Sequence, residues 1–376
     1  MQKISAQQKY KVIISAGGTG GHIFPAVAVA NTLKERLGEV DILFIGSRDK
    51  MEMKKVPAAG YPIEGLWISG LQRSLTLRNL SFPFKVISSL YNAGKIIRKF
   101  KPDAVAGFGG FASGPTLQVA AKRGIPALIQ EQNSYPGITN KILAKKVDKI
   151  CVAYEGMDRF FPKEKIVMTG NPVRKEVIQI EGKRDEAAKH FGLDANKKTL
   201  FIVGGSLGAL AVNKAIAKSL YKLVGEGVQV LWQTGEYFYN DAVKAAKPYS
   251  DKGVKVTAFI EKMDFAYALA GVIISRAGAI AITEITNIAK PAILVPLPTA
   301  AEDHQTKNAM ALVENNAALM VENRDVMEEL APAVINLLKD EQKQEELKTN
   351  LKKLAIDDAA EKITGELLKL MNYDEQ

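Results

Sequence analysis

The run Val12-Ile13-Ile14-Ser15-Ala16-Gly17-Gly18-Thr19-Gly20-Gly21-His22 decides the fold. Its β-branched apolar residues read as a buried strand, its glycines as a tight turn, and the stretch from Pro25 to Leu33 as a helix. A glycine-rich turn from strand to helix lets backbone N–H groups approach an anion, and the helix dipole favours negative charge there. The arrangement returns 187 residues later, as Thr199-Leu200-Phe201-Ile202-Val203, then Gly204-Gly205-Ser206-Leu207-Gly208-Ala209, then an apolar-periodic segment from Leu210. Two such turns in matching places predict two similar α/β domains. Neither has the G-x-G-x-x-G spacing of a dinucleotide site, and no Walker Gly-Lys-Ser/Thr occurs, so ordinary tight turns are the alternative reading.

Outward from these turns, short β-rich runs alternate with helical patterns. The runs are 12–15, 41–45, 104–107, 127–130, 150–153 and 166–169 in the first half, then 200–203, 228–233, 254–259, 272–275, 292–295 and 318–321. Several are apolar without alternation, as expected of parallel strands covered on both faces. The pattern predicts two doubly wound sheets, with a boundary near Gly170-Asn171-Pro172-Val173-Arg174 and an amphipathic helix from Ala359 to Met371. Ligands of such sheets bind beyond the carboxyl ends of the strands. The polar loops 107–115, 130–134, 275–284, 296–298 and 303–305 all follow strands, as a two-substrate cleft requires.

A chain of 376 residues, 47% hydrophobic and 24% charged, suits two globular domains. The single cysteine, Cys151, excludes an internal disulfide, and its apolar setting (Ile150-Cys151-Val152-Ala153) reads as core rather than nucleophile. No signal peptide is expected, and no segment reaches the roughly 18 uninterrupted apolar residues of a membrane span. The net charge of +10 is uneven: residues 1–170 carry 25 Lys/Arg against 12 Asp/Glu, and the remainder is slightly acidic. Within Gly65–Pro102, Arg73, Arg78, Lys85, Lys95, Arg98, Lys99 and Lys101 face no acid and mix with Leu71, Leu75, Leu77, Leu80, Phe82 and Phe84. Apolar groups among unopposed cations suit an anionic membrane surface. The alternatives are a nucleic-acid patch, disfavoured because no nucleic-acid module is recognisable, and an amphipathic helix packed on its own core.

Several elements together resemble a known family: residues 17–22 and 107–115, Glu131-Gln132-Asn133, residues 170–174 and 204–209, Phe259-Ile260, residues 276–284, and His304-Gln305 through Asn308. Their order along nearly the whole chain resembles that of the MurG glycosyltransferases. The resemblance implies an α/β fold of the GT-B type, two doubly wound Rossmann-like domains with mainly parallel sheets and an interdomain cleft. Residues 1–171, joined by a C-terminal helix of about 356–376, would form an acceptor and membrane-docking domain. Residues 172–355 would bind UDP-GlcNAc. The implied reaction moves GlcNAc from UDP-GlcNAc to the 4-hydroxyl of MurNAc in undecaprenyl-pyrophosphoryl-MurNAc-pentapeptide, turning lipid I into lipid II with inversion. It implies a peripheral enzyme on the cytoplasmic face of the cell membrane, with cell-wall and division proteins as partners, no nucleic acid and no cofactor. No metal is implied, and the chain lacks any D-x-D triplet.

The resemblance also implies roles. Ile260 matches the residue whose backbone addresses uracil, and Glu284 the carboxylate on the ribose hydroxyls. Ser206 and its glycine turn match the pyrophosphate site, and Arg174 a basic donor-site residue. Ala279 and Ile280 begin a helix approaching phosphate and sugar, which continues through Ala281, Ile282 and Thr283; Ala281 stands where some members have threonine. His304 and Gln305 match a pair facing the GlcNAc hydroxyls, often two glutamines. Thr19, Gly20, Gly21 and Asn133 complete the site from the first domain. His22 is the candidate general base, since a helix N-terminus favours neutral imidazole; the alternatives are a helix-capping or phosphate-binding His22, or Glu131 as base. Competing functions are a UDP-GlcNAc 2-epimerase or another lipid glycosyltransferase of this fold, and a non-catalytic nucleotide-sugar-binding or membrane-scaffold protein.

Overall fold

The computed structural model describes residues 9–70, 81–205 and 208–373. The chain divides into two compact units, Met1–Val173 with Ile356–Gln376, and Arg174–Ala355. The first unit holds strands β1 (Tyr10–Ser15), β2 (Val40–Ser47), β3 (Ile63–Leu66), β4 (Ala104–Gly107), β5 (Ala127–Glu131), β6 (Lys149–Val152) and β7 (Ile166–Met168), in the order β3-β2-β1-β4-β5-β6-β7. The second holds β8 (Thr199–Val203), β9 (Gln229–Gln233), β10 (Val254–Thr257), β11 (Ala270–Ser275), β12 (Ala292–Leu294) and β13 (Leu319–Met320), in the order β10-β9-β8-β11-β12-β13. Every described strand pair is parallel. The two doubly wound sheets are those expected of a GT-B fold.

Burial explains why the strands lack alternation. In β1, Val12 and Ile14 enter one core with Ile23, Leu33, Ile363 and Leu367, while Ile13 enters the opposite core with Ile97, Val105 and Leu117. Both faces of the sheet are covered, so every position favours an apolar residue. The cover on the first face includes the C-terminal helix Ala359–Leu370, whose Ile363 and Leu367 are fully buried. Burying such a side chain contributes about 1.5–3 kcal/mol. In the second unit Phe201 and Ile273 face one core, and Leu200, Ile202 and Ile274 the other. The strand absent from the sequence reading is β3, an edge strand of four residues, Ile-Glu-Gly-Leu, held by pairing with β2 from Phe44↔Ile63 to Ser47↔Leu66.

Both strand orders reverse at the strand that carries the glycine turn. β1 and β4 end level, Ser15 opposite Gly107, and β8 and β11 end level, Val203 opposite Ser275. Such reversals open a crevice beyond the strand ends. In the first unit the turns after β1 and β4 press together backbone to backbone. A Cβ on Gly110 (φ +87°) would lie 2.5 Å from the carbonyl oxygen of Gly17. The Ser113 hydroxyl ties the loop down by hydrogen bonds to the carbonyls of Ser15 (3.0 Å) and Gly109 (2.8 Å). Behind Gly17 the buried Glu52 carboxylate accepts from the N–H groups of Gly18 (3.0 Å) and Ser47 (2.9 Å), fastening the turn to the end of β2.

Gly110→Ala is expected to combine left-handed strain with overpacking and to destabilise the first unit by about 3–5 kcal/mol. Gly18→Ala, also at positive φ but with nothing within 4 Å of its Cβ, should lose only about 1–2 kcal/mol. Urea unfolding of both variants checks the difference; equal losses would refute the close backbone approach.

Candidate active site

In the first unit the helix Gly20–Leu37 starts directly after the glycine turn, with Thr19 at its N-cap. Thr19 is exposed, and its carbonyl accepts from the N–H groups of His22 and Ile23, both at 3.2 Å. Gly20, Gly21 and His22 form the first turn, which contains no acidic residue. The helix therefore presents positive partial charge beside the imidazole. The His22 ring lies against Gly109, where a Cβ would come within 2.8 Å of Nδ1 and Cε1. Its Nδ1 is 3.0 Å from Oε1 of Gln132.

Gln132 is buried in a chain of amides. Its Nε2 donates to the carbonyl of Phe108 (2.8 Å) and, by a very short contact, to Oε1 of Gln130. Gln130 Nε2 donates to Oδ1 of Asn171 (2.8 Å), and Asn171 Nδ2 donates to the carbonyl of Gln132 (3.0 Å). Glu131 has a different task. Its buried carboxylate accepts from the N–H (3.0 Å) and side chain (3.1 Å) of Asn133, the N–H of Gly137 (3.2 Å) and Asn140 Nδ2 (2.8 Å). Burial pushes its carboxyl above the usual range, and these donors oppose the shift. Both oxygens are engaged in shaping the loop after β5, which also pins Asn133. Burial pushes the Cys151 thiol up to about 12, which removes it as a nucleophile at neutral pH.

In the second unit Glu284 lies on the helix Ala279–Ile288, after β11. Tyr267 donates its hydroxyl to Glu284 Oε2 at 2.8 Å. Burial raises the Glu284 carboxyl above its ordinary value, while Tyr267 and the positive charge of Arg174 draw it back. Burial and the neighbouring Glu284 hold the Tyr267 phenol well above its ordinary value, so it stays a donor. The N–H groups of Ala279, Ile280 and Ala281 start the helix and have no carbonyl in a preceding turn. The side chain of Ile282 is core, with Ile285 and Ile288, and its N–H bonds the carbonyl of Gly278 (2.9 Å). Thr283 donates its hydroxyl back to Ala279 (2.9 Å).

At the second glycine turn, Gly208 packs so closely that a Cβ would meet the carbonyl oxygen of Thr234. Gln233 bridges this turn to Ile260. It donates to the carbonyl of Gly205 (3.2 Å) and accepts from the N–H of Ile260 (2.9 Å). The Ile260 N–H is thus engaged within the unit. Ser206 lies outside the described residues. Gln305 accepts from the N–H of Leu297 (2.9 Å), tying the helix His304–Val313 to the loop after β12. Two left-handed residues, Glu302 and Asp303, turn the chain into His304. Arg276 is a clamp, donating to the carbonyls of Val295 and Pro296 (3.0 Å each) and to Asn323 (2.8 Å).

Tyr267, Gln233 and Gln132 were not singled out from the sequence. Gln132 sits inside the Glu131-Gln132-Asn133 motif, so its neighbours drew attention to it; Tyr267 and Gln233 carry no local signal. Models of the glycosyltransferase family 28 N-terminal and C-terminal domains match residues 12–152 and 199–363. A UDP-N-acetylglucosamine--N-acetylmuramyl-(pentapeptide) pyrophosphoryl-undecaprenol N-acetylglucosamine transferase from Flavobacterium psychrophilum is 52% identical over 365 residues, 97% of this chain and 98% of that one. The crystal structure of MurG from Acinetobacter baumannii superposes with a TM-score of 0.78 at 32% identity, covering 96% of this chain and 100% of that one. A UDP-GlcNAc 2-epimerase from Neisseria meningitidis reaches a TM-score of 0.68 over 96% of this chain and 100% of that one, but at 15% identity, a likeness of fold alone. With matches in both units and about half the residues shared along nearly its whole length, the chain belongs to glycosyltransferase family 28, among its MurG members.

Proposed function

We propose that the chain transfers GlcNAc from UDP-GlcNAc to the 4-hydroxyl of MurNAc in undecaprenyl-pyrophosphoryl-MurNAc-pentapeptide, converting lipid I to lipid II with inversion at the anomeric carbon. The observation that carries this reading is 52% identity to a transferase of that name across 97% of the chain; the epimerase shares the fold at 15%. In the second unit, Glu284 accepts the ribose hydroxyls, Ile260 meets uracil through its carbonyl, and the first-turn amides of Ala279–Ala281 face the pyrophosphate together with Arg174. His304 and Gln305 address the sugar. In the first unit, His22 removes the proton of the acceptor hydroxyl, and Thr19, Gly20, Gly21 and Asn133 complete the site. The product would feed the wall assembly on which cell shape and division depend.

Incubation with UDP-GlcNAc and a lipid I analogue is expected to give the β-linked disaccharide, and its absence, or free ManNAc and UDP instead, would overturn the reading. Charge-assisted bonds from ribose to Glu284 are worth roughly 1.5–3 kcal/mol, so Glu284→Ala should weaken donor binding about 10- to 100-fold. Ribose is held by the ionised carboxylate. Wild-type affinity is therefore full above the pKa of Glu284 and lost as pH falls through it. Because that pKa is raised, the loss starts at a higher pH than for an exposed carboxylate, and Glu284→Gln should lack it. Calorimetry across pH checks this; unchanged affinity in Glu284→Ala would remove Glu284 from the donor site.

The same reading places the enzyme peripherally on the cytoplasmic leaflet, where a soluble nucleotide sugar meets a polyprenyl acceptor. None of the described helices is long and apolar enough to cross a membrane. Support for surface docking comes from the helix Phe82–Phe100. It buries Ala93 and Ile97 and exposes Phe84, Ile87 and Tyr91, 66–74% accessible, alongside Lys95, Arg98 and Lys99, while Lys85 is half-buried and donates to Ser69 (2.9 Å). Phe82 is half-buried, and Leu71, Arg73, Leu75, Leu77, Arg78 and Leu80 lie outside the described residues. Phe84→Ser/Ile87→Ser/Tyr91→Ser is expected to reduce co-sedimentation with anionic vesicles while sparing turnover of a soluble short-chain acceptor. High salt should weaken wild-type binding too, since each basic residue contributes about 1 kcal/mol that salt screens. Wild-type sedimentation by the triple variant at every salt concentration would move the docking face elsewhere.

A further inference from the structure

The amide chain behind His22 has one consistent orientation. A backbone carbonyl only accepts, so the carbonyl of Gln132 faces Nδ2 of Asn171, and Oδ1 of Asn171 is left to accept from Gln130 Nε2. Oε1 of Gln130 then faces Nε2 of Gln132, a placement enforced independently by the carbonyl of Phe108, which also needs a donor. Oε1 of Gln132 is thereby fixed as the atom beside His22 Nδ1, 3.0 Å away. An amide oxygen only accepts, so Nδ1 carries the hydrogen. Two main-chain carbonyls, relayed through three buried amides, thus set the protonation pattern of an imidazole.

We propose that Gln132 is the positioning residue of the reaction: it holds His22 in the Nδ1–H form, which places the proton-accepting lone pair on Nε2. The inference rests on the transferase reading above. In the step it serves, the acceptor oxygen bonds to C1 of GlcNAc as the C1–O bond to UDP breaks. UDP leaves with the electron pair, and the hydroxyl proton passes to Nε2. The resulting imidazolium keeps its Nδ1–H bond to Gln132, so nothing reorients, and the proton leaves to solvent after product departs. A neutral amide suits the task, because a carboxylate there would raise the imidazole's proton affinity and favour the cation before substrate arrives. Gly109 adds the second constraint, since the ring rests on its Cα without a Cβ between them.

The chain has three histidines, so ring-15N labelling gives three ring systems, and His22 is the one missing from His22→Gln. At neutral pH, long-range proton–nitrogen correlation of the wild type should show His22 with protonated Nδ1 and bare Nε2. In Gln132→Leu the signal should shift to the Nε2–H form that an unconstrained histidine side chain favours. Turnover should fall about 10- to 100-fold, the cost seen when the group that orients a metal-bound imidazole is removed, with KM for UDP-GlcNAc little changed. A wild-type His22 protonated on Nε2 overturns the proposal without any variant, as does a Gln132→Leu enzyme whose tautomer and turnover are unaltered. A shifted tautomer with full turnover also overturns it, because His22 would then not be the base. Failure of the wild type to transfer GlcNAc instead removes the transferase reading, and the tautomer measurement stands apart from it.

Discussion

The first unit depends on two stretches of main chain passing with no room for a side chain between them. Gly110 lies where any Cβ would strike the carbonyl of Gly17. That approach sets the depth of both turns. It brings Gly109 under the imidazole of His22 and leaves space behind Gly17 for the carboxylate of Glu52, which occupies the place a Gly17 side chain would take. Interiors this dense transmit a misplacement of tenths of an ångström directly to their neighbours. The second unit uses the same device at Gly208, against the carbonyl of Thr234. Glycine is required at these points for contact as well as for its φ angle.

The fold was legible because its strands are buried on both sides. Val12, Ile13 and Ile14 could be read as a strand without alternation, since odd and even positions enter different cores. β3 was illegible for the opposite reason: Ile63–Leu66 includes a glutamate and a glycine, and its strand character comes from pairing with β2. Family 28 membership and the transfer reaction were readable from the ordered set of loop motifs, none of which is decisive alone.

Individual site residues were less accessible. His22 and Glu284 stand out as polar groups near glycine-rich or apolar helix starts, but what tunes them comes from elsewhere in the chain. Tyr267 reaches Glu284 from a helix 17 residues earlier, and Gln132 reaches His22 across 110 residues. No spacing rule links such pairs. Ile282 illustrates the converse limit: membership in a motif does not tell which positions turn inward, and helical periodicity sends this one to the core beside Ile285.

The C-terminal helix has a consequence for how the molecule is made. The sheet face formed by Val12, Ile14 and their neighbours is completed by Ile363 and Leu367, yet the whole second unit is encoded between them. At roughly 5–20 residues per second of synthesis, the nearly 200 residues from Val173 to the end of that helix take on the order of 10–40 s to emerge. Throughout that interval the nascent first unit holds an uncovered apolar face, while the second unit has all its own elements and can fold first. Vectorial synthesis thus reverses the order of the units: the one that begins the chain is the last to be finished, and its exposed face is what a ribosome-associated chaperone would have to shield.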